Sequence, residues 1–442
     1  MKVFTTFAFG AFFFASSASA FPIVRRKEVV EAGKVVMMNN NTQNDDKKVL
    51  GGNKAGALYF ITNENDGNFV VSADIGDDGK LGLRQAISTG GAGVHGNDGN
   101  KNNPGPLFSA GSVQVSAASK MLATVNSGSN TLSLFSIDEQ DPAVLTRVGS
   151  TVGSGGEFPV SVAFNSKGDK LCALNGGEVN GVSCFKVDKE NGLTPLSGTN
   201  RALGLNQTTP ATGAPGSASQ LIFSEDDKQL ITSIKGIPGG NATNGRGTVG
   251  ALAIFEVADD GSLSKDFKVV APPEKGLAPF GMAIVPNKTT IIAVADPAVG
   301  LDVFDLSQVE QGANKSVATA IDKQQAVGWI VRSPTTENFL LSDFVTGLVT
   351  EVKVGDDLKG SVVSETDLGS DSGTIDNAVA TVKGKDFLYV MSSKAKAIDV
   401  LALDKTAKPS KIQRQDLAEA AKAAQLTISS ANLSGLAAFV KA

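Results

Sequence analysis

The sequence predicts an all-β fold, a seven-bladed β-propeller of four-stranded antiparallel blades whose ring is closed by the C-terminal strand. The first observation is residues 158–196, where four short runs alternate apolar with small residues: FPVSVAFNSKGDKLCALNGGEVNGVSCFKVDKENGLTPL. Gly, Asn and Asp clusters separate the runs, as in a meander of antiparallel strands. Second, similar groups recur at spacings of roughly 47–63 residues, as propeller blades with their loops do. Third, 49 glycines and only 19% charged residues suit a turn-rich β protein.

Seven groups of strands follow one another from residue 57 onwards. The first group has three strands, and each later group has four, although the last strand of all is weak. Grouped by blade, the predicted strands are 57–63, 69–75 and 81–87; 112–115, 121–126, 131–137 and 145–148; 160–164, 170–174, 182–187 and 193–196; 219–223, 229–234, 251–257 and 263–270; 279–285, 290–295, 301–306 and 317–321; 327–331, 339–342, 348–354 and 361–366; 378–382, 387–391, 398–403 and a strand near 410. Such a sheet cannot bury both faces alone, so the groups must stack.

Two positions repeat from group to group and set the register of the strands. The third strand carries a large apolar residue at Phe135, Phe185, Phe255, Phe304, Val352 and Leu401. The second strand ends in a polar residue at Asn63, Asn126, Asn175, Asp296, Asp343 and Ser393, whereas the fourth group departs with Ile234 and Lys235. We expect the polar residues to cap their own turns, with a polar ring around the channel mouth as the alternative.

The first group lacks its innermost strand. Residues 432–440 (NLSGLAAFV) are similar to the first strands of the other groups. We therefore expect them to pair with the first group and close the ring, which leaves no open sheet edge. Residues 417–424, just before, predict a short helix.

The N-terminus has the pattern of a secretory signal. Lys2 precedes the apolar run 3–14, and Ala18-Ser19-Ala20 fits cleavage after small residues. Three regions are predicted: a signal peptide over 1–20, a disordered N-terminal segment with a candidate propeptide over 21–55, and the propeller over 56–442. The pair Arg25-Arg26 is either a dibasic processing site or two solvated charges. No later stretch approaches the about 18–20 apolar residues of a membrane span.

Secretion gives meaning to two further sequence features. Six Asn-x-Ser/Thr sites are candidates for glycosylation: Asn40, Asn206, Asn241, Asn287, Asn314 and Asn432. The chain has two cysteines, and if Asn175 faces Gly181 on adjacent strands, then Cys172 faces Cys184. We predict a disulfide between them, with two buried thiols as the alternative.

One segment carries a resemblance to a known family. Residues 125–135 (VNSGSNTLSLF), with Asp/Asn-Gly-Leu turns elsewhere, resemble the lactonase-type seven-bladed β-propellers, and the resemblance extends over 57–442. That family includes fungal 3-carboxymuconate cyclases and bacterial 6-phosphogluconolactonases, so the chain is similar to a secreted, fungal-type member. The resemblance implies the propeller fold and an activity on lactones or muconates.

Three motifs of that family are changed in this chain. A His-Pro-His-Ser-Val-like stretch opens the third blade in many members, and here it is FPVSV at 158–162. A Pro-Arg-His-Leu stretch opens the fourth blade of enzymatic members, and here it is ASQL at 218–221. The usual Asn-Glu at the end of that blade's second strand is Ile234-Lys235. The family's imidazole, guanidinium and carboxylate therefore have no counterparts at matching positions.

A lactonase or cycloisomerase needs an acid or base near neutrality and cations that hold a carboxylate or enolate. His95 is the one histidine, and it is either a solvated loop residue or a side chain that points to the central pocket. Arg201 and Arg246 are candidates for clamping an anion, and Glu178 for an acid/base carboxylate, with surface charges as the alternative. A single histidine excludes a His-based metal cluster, so we expect no metal and no cofactor.

Two functions compete on these residues. We favour a secreted glycoprotein, at the cell surface or in the cell wall, that uses the propeller to bind a ligand. The alternative is a lactonase or cycloisomerase of the 3-carboxymuconate cyclase type, which rests on resemblance alone. The expected partner is a small lactone or carboxylate, or a cell-surface ligand, and the protein is expected to be a monomer. The net charge of −5 gives no reason to expect nucleic acid or an anionic membrane.

Overall fold

The computed structural model describes residues 31–38, 53–238, 248–307 and 315–441. In these ranges the chain forms seven antiparallel sheets of four or five strands. The predicted seven-bladed β-propeller is therefore confirmed. Among the residues described, no helix has the length and apolar character needed to cross a membrane. The expected signal peptide over 1–20 and the pair Arg25-Arg26 lie outside the described residues.

The strands fall into seven blades, numbered along the chain. Blade 1 contains β1 (Val35–Met37), β2 (Lys54–Ile61), β3 (Phe69–Gly76), β4 (Leu81–Ser88) and the last strand, β30 (Ser434–Val440). Blades 2 and 3 contain β5 (Val113–Ser116), β6 (Met121–Asn126), β7 (Thr131–Ile137) and β8 (Leu145–Gly153), then β9 (Pro159–Phe164), β10 (Lys170–Asn175), β11 (Gly181–Asp188), β12 (Gly192–Pro195) and β13 (Arg201–Ala202).

Blades 4 to 7 each have four strands. Blades 4 and 5 contain β14 (Ala218–Phe223), β15 (Gln229–Ile234), β16 (Ala251–Glu256) and β17 (Lys268–Val270), then β18 (Met282–Ile284), β19 (Ile291–Asp296), β20 (Gly300–Asp305) and β21 (Val317–Ala320). Blades 6 and 7 contain β22 (Val327–Arg332), β23 (Phe339–Asp343), β24 (Leu348–Val354) and β25 (Gly360–Asp367), then β26 (Thr374–Val382), β27 (Lys385–Ser392), β28 (Ala397–Ala402) and β29 (Ser410–Asp416). The helix α1 (Ala418–Ala423) precedes β30.

The core lies between neighbouring blades rather than inside one sheet. Each blade buries both faces, so β3 is buried along its whole length. The repeated apolar position on the third strand is buried in every blade where it was predicted: Phe135, Phe185, Phe255, Phe304, Val352 and Leu401. Stacking therefore supplies the burial that a single four-stranded sheet lacks.

The C-terminal strand closes the ring as predicted. β30 pairs antiparallel with β2, with Ala57 opposite Phe439. Blade 1 also has an outer strand that we did not predict, because β1 pairs with β4 and places Val36 opposite Ala86. This strand lies inside the segment 21–55, which we expected to be disordered. The three residues of β1 are too few to show an alternating pattern of their own, and pairing with β4 orders them.

The two cysteines face each other across β10 and β11. The register places Asn175 opposite Gly181 and Cys172 opposite Cys184, as predicted. The cysteines form a disulfide with a Cα–Cα distance of 4.0 Å, and both are buried. The predicted disulfide is therefore confirmed.

The polar residues at the ends of the second strands hold the connections between blades. Asp343 accepts hydrogen bonds from its own turn at Val345 and Thr346, and also from Gln325 and Ala326 of the incoming connection. Asp296 does the same with Ala298 on one side and with Leu277 and Ala278 on the other. The expected turn capping is thus present, and these carboxylates also position the connections that line one mouth of the ring.

Candidate ligand pocket

A pocket of about 400 Å³ lies at the mouth of the ring where the second strands end. Its walls come from the connections that enter blades 2, 4, 5 and 6. Most of the lining is apolar and includes Phe108, Phe280, Trp329 and Phe344. Among the described lining residues, the ionisable side chains are Asp98 and Lys235. A small, mainly apolar cavity with few polar groups is the usual form of a small-molecule site.

The floor of the pocket is the segment before β5, which crosses the channel. Trp329 of blade 6 donates its indole N–H to the carbonyl oxygen of Ser109 at 3.1 Å. The backbone N–H of Ala110 donates to the carbonyl oxygen of Ser219 in blade 4, also at 3.1 Å. Below Trp329 and Ala110 a second cavity of about 340 Å³ continues along the channel. The crossing segment therefore separates an apolar upper pocket from a lower channel.

Lys235 follows β15 directly and lies at the base of the upper pocket. It is only 4% exposed. Its Nζ contacts the carbonyl oxygens of Phe108 at 2.6 Å and Ala218 at 3.3 Å, and the hydroxyl of Ser219 at 2.5 Å. The Phe280 ring centroid lies 4.6 Å from Nζ. Burial holds the pKa of Lys235 well below its ordinary value, because the charged form loses its hydration in this apolar site.

The contacts of Lys235 suit either protonation state of the amine. An ammonium group can donate to the two carbonyl oxygens and to Ser219. A neutral amine can donate to Phe108 and Ala218 and accept the hydroxyl proton of Ser219 on its lone pair. Since the pKa is lowered and no compensating carboxylate acts on this lysine, the neutral amine is the form that burial favours. The pocket therefore contains a buried amine with a lowered pKa beside an aromatic wall.

Gly236, directly after Lys235, allows two other segments of the chain to approach the end of β15 closely. A Cβ at this position would lie 2.4 Å from the carbonyl oxygens of Leu277 and Thr248, which is too close for any side chain. The backbone N–H of Gly236 donates to the carbonyl oxygen of Leu277 at 3.1 Å. The connection to blade 5 can thus pass directly over the strand end and cover Lys235.

His95 is buried rather than solvated, so the expectation of a solvated loop residue is wrong. Its Nδ1 lies 2.6 Å from the carbonyl oxygen of Gly96, and its Nε2 lies 2.7 Å from that of Asn103. Its ring packs edge-on against Phe108 at 6.4 Å. His95 is absent from the described pocket lining, whereas Asn103 and Phe108 belong to it. His95 thus supports the pocket wall, and its predicted acid/base role stays a prediction.

The other predicted catalytic residues lie apart from this pocket. Arg201 in β13 donates from Nε and both terminal nitrogens to carbonyl oxygens of Ser264, Leu263 and Asn200, so its guanidinium is occupied by backbone. Glu178 is exposed in the turn between β10 and β11. Arg246 lies outside the described residues. The structure therefore does not bring His95, Arg201 and Glu178 together around one cavity.

Three predicted glycosylation sites fall in the described ranges. Asn206 and Asn287 are exposed. Asn432 is half-buried, and its side-chain nitrogen donates to a carboxylate oxygen of Glu64 at 2.7 Å. Asn40, Asn241 and Asn314 lie outside the described residues. The exposed pair is thus the more accessible to a glycan.

Sequence reasoning missed Lys235 as a site residue. It was visible only as an exception to a pattern, since six other second strands end in Asn, Asp or Ser and this one continues into lysine. A lysine directly after the strand 229–234 was a usable signal, because a charged residue at that repeated position faces the mouth of the ring. In the described ranges no cluster of three or more His, Cys, Asp or Glu side chains is arranged to hold a metal ion.

The fold is that of a seven-bladed β-propeller, and a sequence comparison agrees with this class of protein. Residues 52–204 match the family model described as lactonase, 7-bladed beta-propeller. The resemblance to the lactonase-type propellers is therefore confirmed. No curated protein matches the chain.

Solved structures are similar to this chain over nearly all of their length. The periplasmic gluconolactonase of Pseudomonas aeruginosa has a TM-score of 0.61 at 14% identity, covering 88% of this chain and 100% of that one. A putative 6-phosphogluconolactonase from Bacteroides fragilis has a TM-score of 0.58 at 16% identity, covering 87% and 98%. A protein from Lactobacillus plantarum has a TM-score of 0.59 at 13% identity, covering 88% and 100%. At these identities the likeness shows the fold alone.

Proposed function

We propose that this protein is a secreted, lactonase-like propeller that binds a small, largely apolar carbonyl compound in the Lys235 pocket. The observation that carries the proposal is one buried amine at the base of an apolar cavity of about 400 Å³. Aromatic side chains supply the contact area for an apolar body. The amine supplies a single hydrogen-bond donor for a carbonyl oxygen. A polar sugar would leave most of its hydroxyl groups unpaired against such walls.

Binding is favoured over the family's chemistry because the family's reactive groups are missing. Phe158 and Val160 stand where many members have histidines, and 218–221 lacks the arginine and histidine of enzymatic members. Phe158 and Val160 are fully buried in the core, so they present no acid or base. The family's carboxylate position is Lys235, which reverses the charge that the group can carry.

Secretion and glycosylation belong to the same proposal. The signal pattern over 1–20 and six acceptor sequons support an extracellular glycoprotein. The Cys172–Cys184 disulfide agrees with an oxidising compartment. A cell-wall location would follow if the bound compound were a component of that wall.

Lactone opening is the second candidate function. Proteins of similar fold carry the names gluconolactonase and 6-phosphogluconolactonase. Lys235 occupies the position of the family's carboxylate, and its N–H can polarise an ester carbonyl. The apolar walls then favour an aromatic lactone such as dihydrocoumarin over glucono-δ-lactone.

One experiment separates these functions. Calorimetry with dihydrocoumarin and glucono-δ-lactone measures binding, and release of the opened acid measures turnover. We expect dihydrocoumarin to bind and glucono-δ-lactone not to bind. Lys235→Met should weaken binding by about tenfold, the value of one hydrogen bond to a carbonyl. Lys394→Met is the matched control, because Lys394 is exposed yet lies 4.7 Å from the ring of the pocket residue Phe344.

The outcomes are distinct. Binding without opening supports the carbonyl-binding function. Opening that is lost in Lys235→Met and kept in Lys394→Met supports the lactonase. Equal weakening in both variants, or preference for glucono-δ-lactone, contradicts the assignment of the pocket.

A further inference from the structure

We propose that Lys235 is a nucleophilic amine that forms an imine with an aldehyde or ketone bound in this pocket. The inference rests on the proposed function and makes it more specific, since it names carbonyl compounds that react with the amine. Lysines that lie in hydrophobic pockets are activated in this way, because loss of hydration keeps the amine neutral and its lone pair free.

The first step of the argument is the position of the amine. Lys235 belongs to the pocket lining, and its Nζ contacts the carbonyl oxygens of Phe108 and Ala218. These oxygens only accept, so they engage the N–H groups and leave the lone pair available to Ser219 or to a ligand. A ligand carbonyl carbon would meet this lone pair directly, and the Ser219 hydroxyl would stay beside Nζ.

The second step is proton transfer. In the first reaction the Nζ–C bond forms, the C=O π bond opens, and one proton moves from nitrogen to the former carbonyl oxygen to give a carbinolamine. In the second reaction the remaining N–H proton moves to this hydroxyl group, the C–O bond breaks, water leaves and a C=N bond forms, so atoms balance and no oxidant or reductant is needed. A proton taken up from solvent then gives the protonated imine. The Ser219 hydroxyl lies 2.5 Å from Nζ and both donates and accepts, so it can carry the proton from nitrogen to oxygen.

The third step is stabilisation of the product. A protonated imine carries a positive charge at the former Nζ. The Phe280 ring lies 4.6 Å away, and aromatic faces attract such cations. Trp329 packs on Phe280 with centroids 4.9 Å apart, which fixes the orientation of that ring. The aromatic side chains that contact the apolar part of the ligand therefore also lie beside the positive charge of the protonated imine.

Burial should make Lys235 react with a carbonyl compound in preference to the exposed lysines. Only roughly a thousandth of an ordinary exposed lysine is neutral at pH 7. Lys235 is the one lysine in the described pocket lining. Lys394 also lies beside an aromatic ring, that of Phe344, but its side chain is exposed, so we expect it to react as a surface amine.

The test uses benzaldehyde and sodium cyanoborohydride on the intact, disulfide-bonded protein, with peptide mass mapping of the benzylated lysines. We expect Lys235 to be labelled at least about tenfold faster than Lys394, because its neutral fraction is larger. Labelling that follows surface exposure, with Lys394 ahead of Lys235, would overturn the imine. The measurement needs no variant, so a folding defect in Lys235→Met cannot obscure it.

Benzyl alcohol distinguishes failure of the imine from failure of the pocket. It has the same ring as benzaldehyde and no carbonyl group. If benzyl alcohol slows labelling of Lys235 by benzaldehyde, the reaction takes place in the pocket and the proposal is supported. If benzyl alcohol and dihydrocoumarin bind while Lys235 stays unlabelled, the imine is wrong and the binding function stands. If nothing binds and Lys235 stays unlabelled, both are wrong.

Discussion

Asp376 shows at the scale of one residue how burial in the channel alters chemistry. It lies in β26, and its carboxyl oxygen accepts a hydrogen bond from the backbone N–H of Gly435 in β30 at 2.7 Å. The side chain lines the lower cavity beneath Trp329. Burial raises the pKa of Asp376 to about 7, and the Gly435 contact offsets only part of that effect. The closing strand is therefore held by an acid that is protonated over a wider pH range than usual.

The sign of the pH effect follows from this raised pKa. The folded chain keeps the Asp376 proton up to about pH 7, whereas the unfolded chain releases it near the ordinary value of 3.8. The contribution to stability is therefore complete in acid and is lost as pH rises towards 7. Asp302 in β20 also makes the free energy of unfolding fall as pH rises, since burial and the Asp296 carboxylate raise its pKa to about 9.

We predict that Asp376→Asn removes the part of the pH dependence of the free energy of unfolding that comes from the Asp376 proton. The amide keeps an acceptor for Gly435 but does not titrate. Between about pH 4 and 7 the wild type should lose stability relative to the variant by about 1.4 kcal/mol per pH unit at most. Urea unfolding at several pH values measures the difference, in which Asp302 cancels. Asp356→Asn, at a fully exposed aspartate, is the control. If the free energy of unfolding changed with pH in the same way in wild type and Asp376→Asn, the prediction would be contradicted.

At the scale of an element, the connection between β4 and β5 forms the pocket. Residues 97–106 extend outwards and are largely exposed, while 107–110 cross the channel. His95 joins the two parts through the carbonyl oxygen of Asn103 and the ring of Phe108. His95 and the bridge between Asn97 and Thr212 therefore both hold this loop in place.

We predict that His95→Ala lowers the free energy of unfolding by about 1–3 kcal/mol, because it leaves the carbonyl oxygen of the buried Gly96 without the His95 ring and removes packing against Phe108. It should also weaken dihydrocoumarin binding, since Asn103 and Phe108 lose their support. Asn102→Ala, at an exposed position of the same loop, is the control. Thermal unfolding and calorimetry check both effects. A variant as stable as the wild type would restore the view of His95 as a solvated residue.

At the scale of the whole molecule, the ring depends on contacts between its two ends. β30 supplies the inner strand of blade 1. Beside it, the Glu64 carboxylate accepts hydrogen bonds from the backbone of Ser429 and the side chain of Asn432. Burial raises the pKa of Glu64, and these two donors oppose that effect. The first and last parts of the propeller thus stabilise each other across the full length of the chain.

We predict that deletion of 432–442 abolishes cooperative unfolding. The deletion exposes the edge of β2, removes Phe439 from the core, and takes away the Gly435 partner of Asp376 and the Asn432 partner of Glu64. A chain that ends after Lys441 is the control, because it keeps all of β30. Calorimetric unfolding compares the two. A deletion variant with an unchanged melting temperature would contradict ring closure by this strand.

Much of the fold was predictable because strand signals are local. Alternation at period two identified the strands of blades 2 to 7 and the cysteine register on β10 and β11, since neighbouring strands are joined by short turns. Closure by 434–440 was predictable because this segment repeats a pattern present elsewhere in the same chain. The strand β1 was not predictable, as three residues carry no period.

The sequence by itself determined the seven blades, the disulfide and the closing strand, because each depends on a pattern within a few dozen residues or on its repetition. Only the tertiary structure decided the candidate site. Lys235, Phe108, Phe280 and Trp329 come from four separate parts of the chain and meet only when the ring closes. Burial lowers the pKa of Lys235 and removes His95 from solvent, and it arises only where these distant segments pack together. The pattern along the chain shows where charged groups are, whereas their hydration depends on which distant segments cover them.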